Sequence, residues 1–387
     1  MLSKKKLIPV FRPNYGKEEI KAVTEVIKSG WIGLGPKTEE FERRFAAYVG
    51  APYAVALNSA TAALHLALLA AGIGPGDEVI IPSLTFVSTA HAVVYVGATP
   101  IFADIETETL CISLEDVEHK ITKKTRAIIP VHYGGQPCDL DELKRIADAY
   151  NIIIIEDAAH ACGTVYNNKK IGSISPFTTF SFHAVKNLAT GDGGMITVKD
   201  KKTAEYLRRL RWVGINKDTW DRLEDIFEDE NKSYRAYGWH YEIDELGYKC
   251  HMNDINAALG LVQLKKLEKS NKKRRELAKR YTKQLKNLPQ ITCPVIKPGI
   301  ISAQHNYVIR TKNRDRIHLF LREKNISTGV HYMPIHLQPY YRKLYPKISL
   351  PVVETEWKKL LTLPLYPQLT NKDQDYIMEC IENFFIK

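Results

Sequence analysis

The sequence predicts an open α/β fold, a mostly parallel sheet covered by helices on both faces, followed by a smaller α+β domain. Three observations predict it. Short continuous apolar runs rich in β-branched residues, EVIIP at 78–82, AIIPVHY at 127–133 and NIIIIEDA at 151–158, alternate with segments of helical spacing. Unbroken runs of this kind belong to strands buried on both faces. The chain of 387 residues is long for a single hydrophobic core. After Pro289 the alternation gives way to a different order of strands and helices.

Residues 17–28 and 37–48 carry helical spacing, with Pro36 placed at a helix start and Gly50 at a stop. Asn58-Ser59 precedes ATAALHLALLAA and supplies that helix with a cap. EVIIP follows as a strand, TFVSTAHAVVYVG (85–97) as a helix and TPIFADI (99–105) as a strand. The grammar continues through AIIPVHY, the helix DLDELKRIADAY (139–150) and NIIIIEDA. FTTFSF (177–182) and GMITV (194–198) add strands whose direction the sequence leaves open. The polar segment 216–238 reads as a long surface loop. One helical pattern from 253 to 288 has the length to link two lobes. Beyond it, HNYVIRT (305–311) and STGVHYM (327–333) read as strands, and RDRIHLFLREKN and DQDYIMECIENFF as helices. The predicted division is therefore 1–252, a large α/β domain with an N-terminal helical segment, and 253–387, a linking helix with a small α+β domain.

Composition narrows the function classes. A formal net charge of +11 and a pI near 9.1 suit nucleic acid, an acidic surface or phosphorylated small molecules. No zinc-finger spacing, aromatic RNA-binding signature or tandem basic helix supports nucleic acid. The basic run NKKRRELAKR (271–280) falls on a helical pattern and reads as a solvated face. Cys111, Cys138, Cys162, Cys250, Cys293 and Cys380 lie far apart with no CxxC pair, which argues for reduced thiols and against a metal knuckle or disulfide frame. MLSKKKLIPVFRP has too short an apolar run for a signal peptide, and AALHLALLAAGIG stops short of membrane length. The expectation is a cytoplasmic protein with neither nucleic acid nor membrane as partner.

In an open α/β sheet ligands bind beyond the carboxyl ends of the strands, so the residues just after each strand are the ones to weigh. They are Asn58 to Thr61, Thr85-Phe86, His132-Tyr133, Asp157 with His160, Ser181 with His183 and Lys186, and His331 to His336. Each has a plain alternative: Ser59 and Thr61 can simply cap a helix, and Phe86 can belong to a core. A capped helix start also offers N–H groups to a phosphate. Asp157 ends a very apolar strand, where a carboxylate is costly unless a cation meets it. The histidines invite a metal reading, but no HExxH or comparable ligand spacing is present, so no metal is expected. Taken together the pieces suit pyridoxal 5'-phosphate. Its phosphate needs N–H and hydroxyl donors, its ring nitrogen a carboxylate, its face an apolar plate and its aldehyde a lysine. Lys186, between an apolar strand and the glycine turn Gly191, Gly193, Gly194, is the lysine in place to form that Schiff base.

These motifs, with NSATAALHLAL, GDEVIIPSLTFVSTAHAV, IIEDAAHACGT, FSFHAVKN, GYKCHMNDINAALGLVQL, GVHYMPIHLQPYY and TLPLYP in that order, resemble the DegT/DnrJ/EryC1/StrS sugar aminotransferases. The chain looks most like the branch that makes UDP-4-amino-4-deoxy-arabinose. The resemblance implies a fold of the aspartate-aminotransferase type (fold type I) and a homodimer with active sites at the subunit interface. It implies that Lys186 carries the cofactor, that Asp157 pairs with the ring nitrogen and that His160 lies near the phenolic oxygen. Ser59, Ala60, Thr61 and Ser181 match the phosphate cradle and Phe86 the stacking aromatic. His251 stands where relatives place an Asn or Arg that reaches the neighbouring subunit's phosphate, and that departure puts the contact in question. His183, His331, Tyr332, His336 and Gln338 match the sugar pocket. The implied reaction takes an amino group from L-glutamate, releasing 2-oxoglutarate, and gives it to a nucleotide-diphosphate-linked keto sugar for cell-surface polysaccharide or lipopolysaccharide. Relatives with histidine in place of the lysine are dehydratases, and a non-catalytic cofactor-binding regulator is a further alternative; Lys186 with Asp157 argues against both.

Overall fold

The computed structural model describes residues 7–216 and 241–386, so all but the first residue of the polar segment expected as a loop lies outside the described residues. Nine strands cover the first half: β1 (Tyr53–Leu57), β2 (Glu78–Pro82), β3 (Thr99–Ala103), β4 (Thr125–Ile128), β5 (Ile153–Asp157), β6 (Val165–Tyr166), β7 (Lys169–Lys170), β8 (Phe177–Ser181) and β9 (Gly194–Val198). Seven of them form one sheet in the order β1-β9-β8-β5-β4-β2-β3. Strands β3, β2, β4, β5 and β8 pair in parallel, whereas β9 runs antiparallel to both β8 and β1. This settles the direction the sequence left open. Because β9 alone is reversed, its first residue Gly194 lies beside the last residues of β1 and β8, opposite Leu57 and Ser181.

Helices α1 (Lys17–Ser29), α2 (Pro36–Val49), α3 (Ala60–Ala70), α4 (Ser88–Tyr95), α5 (Leu114–Lys120), α6 (Leu140–Tyr150) and α7 (Lys201–Arg211) accompany these strands. Their ends follow from local chemistry. Pro36 opens α2 and Gly50, at φ 82°, closes it. Ser59 caps α3 and Asp139 caps α6 by accepting backbone N–H groups of Ala62 and Glu142. The segment 85–97 is helical only over α4, because Thr85 and Phe86 belong to the turn that precedes it.

The long helix Asp254–Leu285, capped by Asn253, belongs to two cores. Its Ala257, Leu261 and Leu267 join the cluster built on the large sheet. Its Leu277, Ala278, Tyr281 and Leu285 join a second cluster with Tyr307, Ile309, Leu361, Leu363 and the C-terminal helix Asn371–Ile386. Between the two, Arg274 is buried and donates to the carbonyls of His305 and Leu365, so this part of the basic run is internal rather than solvated. The second lobe carries β10 (Ile300–Ile301), β11 (Tyr307–Arg310) and β12 (Leu360–Leu363), with β11 antiparallel to β12. STGVHYM is not a strand. It bridges β12 once, at Gly329 opposite Thr362, and then departs. Consecutive side chains His331 and Tyr332 both line one cavity, an arrangement that the alternating faces of a strand do not allow. Among the described residues no helix is long and apolar enough to cross a membrane.

Gly260 marks a close approach of the long helix to α2. A Cβ there would fall 2.6 Å from the ring of Phe41, which is fully buried against Phe45 and Phe182. Gly260→Ala is expected to lower the urea midpoint although alanine favours a helix by about 1 kcal/mol over glycine, since overpacking a filled core costs about 1–3 kcal/mol. Adding Phe41→Leu should recover part of the loss. A raised midpoint in the single variant would show that helix propensity outweighs the crowding.

Candidate active site

The carboxyl ends of β1, β2, β4, β5 and β8 share one edge of the sheet, and the residues beyond them enclose a cavity of about 370 Å³. At one side α3 begins. Its first N–H groups, those of Ala60 and Thr61, have no partner within the helix, and the hydroxyls of Ser59, Thr61 and Ser181 lie around them on the cavity wall. Thr61 meets Ser88 at 2.6 Å. The backbone passes very close here: a Cβ on Gly194 would sit 2.4 Å from the carbonyl oxygen of Ser59. Only glycine permits that approach.

Asp157 ends β5 and is 5% exposed. Its Oδ1 accepts the Ala159 N–H at 3.1 Å and its Oδ2 the Thr89 hydroxyl at 2.8 Å. Burial pushes its pKa up, and the two donors, with Lys186 nearby, only partly offset that. Lys186 shows the mirror image. Burial brings its ammonium down to about 8, opposed by the attraction of Asp157.

Lys186 sits in a turn closed by its own N–H to the His183 carbonyl at 2.9 Å. Its neighbour Asn187 is buried and held three ways, to Asn271 of the long helix at 2.7 Å, to the Ala303 carbonyl at 2.8 Å and to His305 Nδ1 at 2.9 Å. His160 accepts the Gly134 N–H at Nδ1 (3.3 Å), so in the neutral ring Nε2 carries the proton toward the Tyr332 hydroxyl at 3.2 Å. His305 packs on His160 at 4.4 Å and stacks with Phe11 at 5.6 Å. Burial, then the Lys186 charge, holds His160 well below its ordinary value and brings His331 to about 4. Phe86 projects into the cavity, 57% exposed, with its ring 5.9 Å from that of Tyr332.

Of the residues singled out in the sequence, Ser59, Ala60, Thr61, Phe86, Asp157, His160, Ser181, His183, Lys186, His331 and Tyr332 line this cavity. Three do not. His336 is buried between Ser83 and Glu354, bonded to both. Gln338 precedes the helix Pro339–Leu344 and lies off the wall. His251 bridges β1 at Leu57 and packs edge-on against Trp212 at 4.3 Å. Sequence reasoning missed Ser88 and Thr89, hidden inside a segment read as helix throughout, and Asn187 and His305, whose contacts join distant parts of the chain. Among the described residues no group of histidines, cysteines and carboxylates is placed to hold a metal ion.

The donor set fits pyridoxal phosphate: a helix start ringed by hydroxyls for a dianion, an exposed aromatic face, an under-compensated buried carboxylate for a ring N–H, and a lysine brought toward its neutral form. Residues 13–382 match a single family description. The chain belongs to the DegT/DnrJ/EryC1/StrS aminotransferase family. Pyridoxal phosphate is the cofactor of this family, and the fold is that of the fold type I enzymes. Among curated relatives, the spore coat polysaccharide biosynthesis protein SpsC of Bacillus subtilis is 44% identical over 97% of this chain and 96% of its own length. The sugar aminotransferase Spr1654 of Streptococcus pneumoniae, solved in apo, PMP and PLP forms, is 34% identical. Its apo form superposes with a TM-score of 0.89 over 98% of this chain and 97% of that one. Helicobacter pylori PseC, an aminotransferase involved in the biosynthesis of pseudoaminic acid, is 28% identical with a TM-score of 0.89, covering 98% of this chain and 99% of that one.

The depressed lysine yields a measurable consequence. Amine labelling of the cofactor-free protein across pH, followed by peptide mapping, should place the midpoint of Lys186 near 8, whereas ordinary lysines titrate above about 10. Asp157→Asn removes the one group that raises it, so the midpoint should fall further. A midpoint above that of the surface lysines would show that the ammonium is not desolvated.

Proposed function

We propose that the protein transfers an amino group from L-glutamate to a keto sugar carried on a nucleoside diphosphate. The observation that carries the reading is the joint placement of Lys186 and Asp157 in one cavity beside the start of α3. The names of SpsC, Spr1654 and PseC support a sugar acceptor. A net charge of +11 suits an acceptor with a diphosphate.

Bound pyridoxal phosphate supplies an aldehyde that captures amines and a ring that takes up electron density from the donor's α-carbon. The chain's own residues do the rest. Lys186 would hold the cofactor, and its ε-amine would move a proton on and off the reacting carbon; an amine near 8 is suited to both tasks at neutral pH. Asp157 holds the ring N–H. Ser59, Thr61, Ser181 and the N–H groups of α3 would bind the phosphate, and Phe86 would supply an aromatic face for the ring. His160, neutral and hydrogen-bonded to Tyr332, orients the polar side of the pocket. His183, His331 and Tyr332 face the sugar. Two half-reactions on one site imply ping-pong kinetics. We further propose a homodimer working in the cytoplasm, a setting with which six cysteines outside any disulfide agree.

The purified protein should be yellow, and glutamate should bleach the band with release of 2-oxoglutarate while a chelator changes nothing. Keto sugars linked to UDP, GDP and dTDP then identify the acceptor through a stoichiometric amino product. Lys186→Ala should keep the fold and lower turnover by about a hundredfold to ten-thousandfold or more. Full turnover in that variant would sink the mechanism, and keto-sugar consumption without an amino product would point to a dehydratase.

A further inference from the structure

The turn that opens α4 touches three parts of the cavity at once. Ser88 meets Thr61 of the α3 start at 2.6 Å. Phe86 presents its ring to the cavity while its carbonyl accepts the Thr89 N–H at 3.2 Å. Thr89, fully buried, donates its hydroxyl to Asp157 Oδ2 at 2.8 Å, and Thr85, 3% exposed, lies 2.8 Å from Thr89 Oγ1.

The carboxylate dictates the direction of these protons. An ionised carboxylate only accepts, and a hydroxyl has one proton to give. Thr89 spends its proton on Asp157, so Thr85 must donate to Thr89. The chain runs Thr85 to Thr89 to Asp157, and Asp157 Oδ1 is held separately by the Ala159 N–H. We infer that Thr89 is a positioning residue, which keeps Asp157 ionised and aimed at the cationic N–H of a heteroaromatic ring, with Thr85 as the second link of the clamp. This rests on the reading of the cavity as a pyridoxal phosphate site. The hydroxyl is the working part, because within the Thr89 side chain only the O–H can donate to the anion; the methyl group merely fills space. The other groups that bear on Asp157 are Lys186, His132 and Tyr332, and none of them bonds its carboxylate among the described residues.

The test uses the full chain with Thr89→Val, Thr89→Ser and Thr85→Val. One measurement is the affinity of the cofactor-free protein for pyridoxal phosphate; the other is the pH profile of the bound cofactor's visible absorbance. Thr89→Val should weaken binding about tenfold to a hundredfold, the range for a hydrogen bond to a buried charge. It should also draw the shared proton from the ring toward Asp157, altering the pH profile. Thr89→Ser should stay within about threefold of the parent and Thr85→Val should fall between. Parent-like affinity and pH profile in Thr89→Val would overturn the inference, as would Thr89→Ser failing as badly as Thr89→Val, since packing would then be the cause. If Thr89→Val does not fold, the ordering of Thr85→Val below Thr89→Ser decides. A parent protein that binds no pyridoxal phosphate would sink the site reading itself, whereas binding untouched by all three changes would sink this inference alone.

Discussion

A carboxylate at the tip of a buried strand is the constraint around which this molecule is arranged. The strand IIIED carries Asp157 into a place where it is almost wholly buried, and the cost of burying its charge exceeds what its immediate donors return. One N–H and one hydroxyl hold the two oxygens, and the nearby Lys186 offsets a further part. The same proximity keeps the lysine from falling still lower than about 8. Acid and amine therefore moderate each other without cancelling, and the remaining imbalance on Asp157 is what a bound cation would relieve. A site that is left electrostatically unfinished is a site built for a ligand.

Holding Lys186 against that acid requires the second lobe. Its neighbour Asn187 spends its donors on Asn271 and Ala303 and its acceptor on His305, so the turn is pinned to the long helix and to the strap before β11. Asn271 in turn donates to the Cys162 carbonyl, just past β5, and Arg274 one turn along the helix holds the carbonyl of His305. The amine thus stands where three separated segments agree.

Much of this was legible in the sequence, for definite reasons. Parallel strands announce themselves because burial on both faces removes every polar residue from the run, and a carboxylate at the end of IIIIED then stands out. Lys186 was legible through its context, an apolar strand before it and glycines after it. Gly194 marks the close approach of β9 to the α3 start, and its place in the glycine turn survives in the linear text. What stayed hidden depended on direction or on distance. Arg274 looks like its neighbours in NKKRRELAKR, and only its place on the helix turns it inward against two carbonyls. STGVHYM has the composition of a strand, but successive side chains face one cavity. His336 and Gln338 follow His331 closely in sequence, yet the short helical turn Ile335–Leu337 carries them behind the wall. Thr89 was invisible because a threonine two residues into a helix is ordinarily a surface residue, and nothing local says that a strand 68 positions away ends against it.

The charges on the cavity wall lead to one more step. Among the described lining residues the carboxylates Asp157 and Asp192 face a single ammonium, Lys186. His160 and His331 add no positive charge near neutral pH, since burial and the lysine keep both rings unprotonated. The surplus of +11 over the whole chain is therefore not concentrated where an anionic cofactor would sit. Binding a phosphate dianion here has to rely on oriented dipoles, the free N–H groups of α3 and the ring of hydroxyls, with any further cation coming from outside the wall. Dipoles of this kind have a practical advantage beside a reactive lysine. They stabilise an anion with partial charges whose field falls off faster than that of a full cation, and so they perturb the ε-amine less; a guanidinium in the same place would depress the lysine further and weaken the hold of the acid on its own partner. The neutral histidines serve the same end from the other side of the cavity. Keeping the wall nearly free of fixed cations leaves Asp157 as the group that opposes burial in setting the proton affinity of Lys186.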